Sequence, residues 1–364
     1  MTARNFAAAG REGLAVVDCD IHNAPADVEA LFPYLDDHWR EYISTSQFKG
    51  PTDTAYPPST ASSVRPDATT EGGDPPGSTL ESVRTGTLEP WGSELGILTC
   101  AYAADSIRNP DAAAAMAAAV NDWQIEQWLE REPRLRASIV VPAASPTLAA
   151  REIDRAARHP GFVQVLLPVR SAVPYGNRGY YPLLEAAVRN DLAVGLHFGG
   201  APGNPPTASG WPTFYIEEYV DMATAFQSQL LSLVAEGAFD RFPELRVAVV
   251  EGGFGWLPAF LWRFDRAWRA LRREVPWTKR LPSAYVRDHV RFTLQPIDGP
   301  REAERFARLL DQLPSEEVLM FSTDFPHWQY ETPKDAVPPG LSDELARKIL
   351  AENARAFYRL EGGP

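Results

Sequence analysis

Six polar side chains able to hold a metal ion follow short apolar runs: Asp20 and His22, His197, Glu251, and Asp324 with His327. The runs are Leu14-Ala-Val-Val-Asp-Cys, Leu192-Ala-Val-Gly-Leu, Val247-Ala-Val-Val and Val318-Leu-Met-Phe-Ser-Thr. In Asp20-x-His22 the alternation of a strand puts both side chains on one side, so both reach one ion. His197 precedes Gly199-Gly200, which leave room for a substrate near the backbone. Asp324 can both bind a metal and take a proton from water. Glu251 is followed by two glycines and is open to three roles: second-metal ligand, general base or orienting group. An ion pair with Arg170 is its plain structural alternative. His327 reads as a second-metal ligand or a proton donor. Arg170 has the planar fork suited to a substrate carboxylate, and Tyr175, Trp211, Phe254, Trp256 and Trp328 are candidate aromatic walls. His38, His159 and His289 read as surface, helix-end and strand-start residues without a chemical role.

Elements must bring these residues together. A strand covered by helices on both faces reads as a continuous hydrophobic stretch. Eight such stretches alternate with helical patterns, and no break separates them into domains over residues 1–364. The pattern predicts a (β/α)8 barrel, whose strand ends build a convergent polar site on one face. Asn109-Pro-Asp predicts a helix start, with helix through Glu132. Two insertions follow strands that carry candidate ligands. The first, about 23–90, is rich in Pro, Gly, Ser and Thr over Gly50 to Ser78 and is read as a lid or subunit contact. The second runs from Gly199 to Pro212 after strand five.

Composition bounds the remainder. At 45% hydrophobic and 23% charged over 364 residues, the chain can bury a sizeable core. A net charge of −13 argues against nucleic acid or an anionic membrane as partner. No apolar stretch approaches the roughly 20 residues that span a bilayer. Two cysteines, Cys19 and Cys100, suit a reducing compartment, and Met1 to Gly13 lacks a secretory pattern, so the expected location is cytoplasmic. The lysines, at 49, 279, 334 and 348, do not end strand four, which argues against a carboxylated-lysine bridge between two metals. No nucleotide-binding glycine pattern lies at a strand-to-helix junction.

Four motifs in order resemble the amidohydrolase superfamily: Asp18-Cys-Asp-Ile-His22, His197-Phe-Gly-Gly, Arg241-Phe-Pro-Glu-Leu-Arg-Val through Glu251-Gly-Gly-Phe-Gly-Trp256, and Phe321-Ser-Thr-Asp-Phe-Pro-His327. The chain is similar to the branch that includes aminocarboxymuconate-semialdehyde decarboxylase. The resemblance implies the barrel, a divalent metal and often a dimer. It matches Asp20 and His22 to the first-strand metal pair, His197 to the strand-five ligand and Asp324 to the strand-eight ligand. Two positions depart from the pattern. Asp20 stands where the first His of H-x-H is common, and Glu251 stands where the decarboxylases carry a His that protonates carbon or polarises a carbonyl.

These readings rank four functions. The first is hydrolysis of a small, carboxylate-bearing substrate by metal-activated water, with zinc as one candidate ion. Here Asp324 shuttles the proton, Glu251 positions water or substrate, and Arg170, Trp211 and Trp256 bind the substrate. The second is a dinuclear iron or manganese hydroxylase, with Glu251 and His327 completing the second site. Non-oxidative decarboxylation is third, because of Glu251. A non-catalytic subunit is fourth. The expected partners are a small-molecule substrate and a second copy or a related subunit.

Overall fold

A computed structural model of the chain describes residues 14–51, 56–57, 64–65, 68, 73–200, 205–327, 336–338 and 340–360. Its eight strands lie in one parallel sheet in sequence order: β1 Val17–Ile21, β2 Leu95–Leu98, β3 Leu135–Val140, β4 Phe162–Arg170, β5 Ala193–Gly200, β6 Val247–Val250, β7 Val290–Thr293 and β8 Leu319–Met320. β1, β2, β6 and β8 are buried at every residue, as continuous apolar runs between helices require. The eighth strand returns to the first: Cys19 N donates to Phe321 O at 2.9 Å and His22 N to Phe325 O at 2.8 Å. Asp18 reinforces that closure, accepting from Thr323 N at 2.9 Å, Thr323 Oγ1 at 2.6 Å and Thr87 Oγ1 at 3.0 Å. The result is a (β/α)8 barrel.

The longer helices are α1 Asp37–Ser46, α2 Pro110–Gln124, α3 Pro146–Ala156, α4 Tyr181–Arg189, α5 Tyr215–Ala235, α6 Leu257–Leu271, α7 Pro282–His289 and α8 Ala303–Leu310. Asn109 caps α2 through its side chain, accepting from Asp111 N and Ala112 N, and Pro110 fills the first turn where no donor is needed. The helix expected through Glu132 is α-helical only to Gln124 and continues as a π turn, Ile125–Leu129. The strand expected over 318–323 shrinks to two residues, because the polar Ser322-Thr-Asp segment turns into the site instead of pairing. Sequence patterning misses α7 altogether and, inside the 23–90 insertion, α1 and the helical turns Leu80–Val83, Arg84–Leu88 and Glu89–Trp91. Cys19 and Cys100 are free thiols, and among the described residues no helix is long and apolar enough to cross a membrane.

Candidate metal centre

Strand ends deliver the six side chains to one place. Donor atoms of Asp20, His22 and His197 lie within 4.8 Å of one another, as do those of His22, Glu251, Asp324 and His327. His22 Nε2 stands 3.0 Å from Asp324 Oδ1 and 3.5 Å from Asp20 Oδ1; His197 Nε2 stands 3.5 Å from Glu251 Oε2; His327 Nδ1 is 2.9 Å from Asp324 Oδ1. Asp20 and Asp324 are fully buried, and His197 and Glu251 are at most 8% exposed.

Local structure aims each group. Thr99, at the end of β2, donates its hydroxyl to Asp20 Oδ1 and leaves Oδ2 unpartnered. His197 Nδ1 is 2.8 Å from Phe198 O; a proton on Nδ1 leaves Nε2 with a lone pair toward the site. Glu251 and Asp324 both sit in the left-handed region, at φ 59° and 54°, which a non-glycine residue adopts at a cost of about 1–3 kcal/mol. Thr293 Oγ1 holds Glu251 by accepting its N–H at 3.0 Å, and the Asp18 clamp on Thr323 holds the residue before Asp324.

Electrostatics favour a cation at this point. Burial, then the carboxylates of Asp324 and Asp20, push Glu251 well above the usual carboxyl range; burial and Asp324 do the same to Asp20. Burial, then His22, drives His197 down to about 3, so it is neutral as a ligand must be. Burial and His327 lower His22 likewise. For Asp324 burial acts upward but is outweighed by His327 and His22, which hold it ionised; for His327 burial acts downward and is outweighed by Asp324. Three carboxylates packed against imidazoles, with Asp20 Oδ2, Asp324 Oδ2 and His197 Nε2 buried and lacking hydrogen-bond partners among the described residues, form a donor set that fits a divalent ion.

The centre opens into a cavity of about 730 Å³ whose wall includes His22, His197, Glu251 and His327. Lys49, Gly50, Pro51, Val64 and Pro76 of the first insertion also line it, and Val64 pairs with His327 across an antiparallel bridge.

Three sequence-assigned substrate contacts lie elsewhere. Arg170 puts its guanidinium 2.5 Å from Glu218 Oε1 of α5, both buried, so it is occupied within the fold and does not line the cavity. Trp211 is 57% exposed and faces Tyr56, with ring centroids 5.0 Å apart. Trp256 packs edge-on against Phe260 and Phe292 and donates Nε1 to Gly252 O at 3.0 Å, bracing the turn after Glu251. Tyr175 and Phe254 are core residues. Trp328 lies outside the described residues, as do Met1 to Gly13 and much of both insertions. Sequence reasoning misses Thr99, Lys49, Asn23, Tyr102, Phe198 and Tyr215. Thr99 carries the same signal as the candidate ligands, a polar residue following an apolar strand, whereas Lys49, Asn23 and Tyr102 come from loops with no periodic signature, and Phe198 and Tyr215 lie in β5 and at the start of α5.

Comparison with known proteins places this geometry in context. The Amidohydrolase family model matches residues 17–360. A gamma-resorcylate decarboxylase from Polaromonas sp. is 28% identical over 302 residues, covering 77% of this chain and 88% of the relative. The structure of a 5-carboxyvanillate decarboxylase from Novosphingobium aromaticivorans, with bound manganese and 3-methoxy-4-hydroxy-5-nitrobenzoic acid, superposes with a TM-score of 0.70 at 19% identity, covering 96% and 99% of the two chains. A dihydroxybenzoic acid decarboxylase from Polaromonas sp., with manganese and the inhibitor 2-nitroresorcinol, gives 0.67 at 22% identity over 95% and 97%. At such identities the structural matches speak for the fold.

Proposed function

The chain belongs to the amidohydrolase family, and within it we propose a divalent-metal-dependent decarboxylase of a small hydroxylated aromatic carboxylate, working with manganese. The observation that carries this reading is the set of buried donor atoms without partners among the described residues, Asp20 Oδ2, His197 Nε2 and Asp324 Oδ2, beside a cavity roomy enough for a substituted ring. The decarboxylase relatives support carbon–carbon cleavage ahead of hydrolysis.

Asp20, His22, His197 and Asp324 would hold the ion, which supplies positive charge to bind the substrate's carboxylate side and withdraw electrons from the ring. Among the residues lining the cavity Lys49 is the cation, and it takes over the anion-binding role assigned from sequence to Arg170. Glu251 occupies the strand-six end and lines the cavity beside His197. As the bond from ring carbon to carboxylate breaks, carbon dioxide leaves and its bonding pair stays on the carbon. Glu251 gives that carbon a proton and is reprotonated from solvent. The largely buried site limits competing water.

One observation favours a second reading: His22, Glu251, Asp324 and His327 form a second donor group, which shares His22 with the group of Asp20 and His197. Two ions there would suit the oxygen chemistry of a dinuclear hydroxylase. The test uses manganese-loaded protein with 2,6-dihydroxybenzoate and 5-carboxyvanillate, under nitrogen, in D2O. Expected are carbon dioxide release, one deuterium on the ring carbon, and one ion per chain. The Glu251→Gln variant should keep the ion and lose turnover. Two ions per chain, loss of one in E251Q, and product formed only with oxygen would overturn decarboxylation in favour of hydroxylation.

A further inference from the structure

Asn23 follows the metal-binding pair directly, yet its side chain is committed away from the ion. It is 1% exposed, lines the cavity, and donates Nδ2 to Gln124 Oε1 of α2 at 3.4 Å. The orientation is forced from behind. Gln124 Nε2 donates to the backbone carbonyl of Ser138 at 3.1 Å, and a carbonyl can only accept, so Gln124 turns its oxygen toward Asn23. Asn23 must then meet it with its amino group. Its Oδ1 is left as a buried acceptor without a partner among the described residues.

A matching group stands on the next strand end. Thr99 N donates to Ile21 O, so the chain after β2 runs beside the chain after β1. Three residues on, Tyr102 lines the same cavity, with its hydroxyl buried and likewise unpartnered. Gly50 of the first insertion packs over it: a Cβ there would stand 4.0 Å from the Tyr102 hydroxyl, and the backbone is at φ +102°. Burying two polar atoms without partners is unfavourable, because each loses its bond to water without gaining one in the protein. A ligand hydroxyl can donate to Asn23 Oδ1, and a ligand oxygen can accept from the Tyr102 hydroxyl.

We propose that Asn23 and Tyr102 form a subsite that selects substrates carrying a hydroxyl group beside the metal-bound end. This rests on the function proposed above and assigns recognition of the ring hydroxyl to two named residues. The hydroxyl bonds in the ground state, so the pair governs affinity and discrimination more than the chemical step.

The test is calorimetric binding to manganese-loaded protein with two ligand pairs, 2,6-dihydroxybenzoate against benzoate and 2-nitroresorcinol against nitrobenzene. Direct contact of a hydroxyl with manganese contributes equally in wild type and variants, so the change in each preference isolates the subsite. Asn23→Leu should cut the preference for the hydroxylated member roughly tenfold or more, and Tyr102→Phe should cut it in the same direction. Manganese content should stay at the wild-type value in both variants and the thermal midpoint in Y102F, whereas N23L strips buried Gln124 Oε1 of its donor and melts lower; if N23L folds poorly, Y102F, which deletes one oxygen, decides alone. Unchanged preference in a folded variant overturns the subsite even where both carboxylates bind. If 2,6-dihydroxybenzoate binds no better than resorcinol and releases no carbon dioxide, while the 2-nitroresorcinol preference still depends on Asn23, the proposed function falls and the subsite stands.

Discussion

Replacing Arg170 by Met separates a structural role from a substrate role. Its side chain is 7% exposed, Glu218 is wholly buried, and their charged atoms are 2.5 Å apart. Glu218 also accepts from Tyr56 N at 2.5 Å. Removing the guanidinium leaves that carboxylate inside the protein without its charge partner, a change that costs about 3–5 kcal/mol. Unfolding entropy is about 2.1 cal/mol/K per residue, so a chain of 364 residues has about 0.8 kcal/mol/K at its midpoint. The expected fall in Tm is therefore roughly 4–7 °C. Arg170→Met with Glu218→Met should recover most of it, since a buried pair replaced by apolar groups of similar volume is often near neutral. The assay is thermal unfolding of R170M, E218M and the double variant, with KM measured on each. A carboxylate clamp would give the reverse: Tm within about 1 °C of wild type, KM raised at least tenfold, and no rescue by E218M. That outcome would refute the assignment of Arg170 to the fold.

Thr99→Val removes the hydroxyl that fixes Asp20 Oδ1, and the expected result is manganese affinity weakened about 10- to 100-fold with the barrel intact, read by metal titration and circular dichroism. Unaltered affinity would mean that Asp20 needs no orienting partner. A second expectation concerns acid stability. Hydrogen bonds from Arg134, opposed by burial and joined by Arg84, hold Glu132 down to about 2 from an ordinary 4.5. A depressed folded-state value stabilises the native protein above about 4.5, and the contribution disappears as pH falls through about 2. Chemical denaturation between pH 5 and 2 should show Glu132→Gln losing less stability than wild type over that interval; parallel curves would contradict the ion-pair account.

Strand ends were legible because a buried parallel strand is mostly apolar, so polar residues at or just past the end of such a run mark the face of the barrel. That rule finds Asp20, His22, His197, Glu251 and Asp324 and extends to Thr99. It misleads at Arg170, which also ends a strand, because the residue that claims it lies 48 positions away on α5 and leaves no mark nearby. Trp211 and Trp256 fail for a related reason: an aromatic ring suits a cavity wall, a core or a surface equally, and only packing decides. Lys49, Asn23 and Tyr102 reach the cavity on loops, where position depends on backbone path. Asn23 shows the limit clearly, since its acceptor is presented only because Gln124 is oriented by a carbonyl of β3.

Backbone strain links the two groups of ligands. Asp20 and His197 lie within their strands, but Glu251 comes one residue past β6 and Asp324 four residues past β8. Both adopt the left-handed region, and both carboxylates reach the same donor group. Neither position is a glycine, so each retains strain that the Thr293 and Asp18 hydrogen bonds must over-determine. The same device at both ends directs Glu251 and Asp324 to adjacent points: each belongs, with His22 and His327, to one compact donor group. What separates them is connection. Asp324 is held between His22 and His327, whereas Glu251 faces His197 at 3.5 Å and borders the cavity. That difference in connection supports the proposed division of roles, with Asp324 as a metal ligand and Glu251 as the group that meets the substrate.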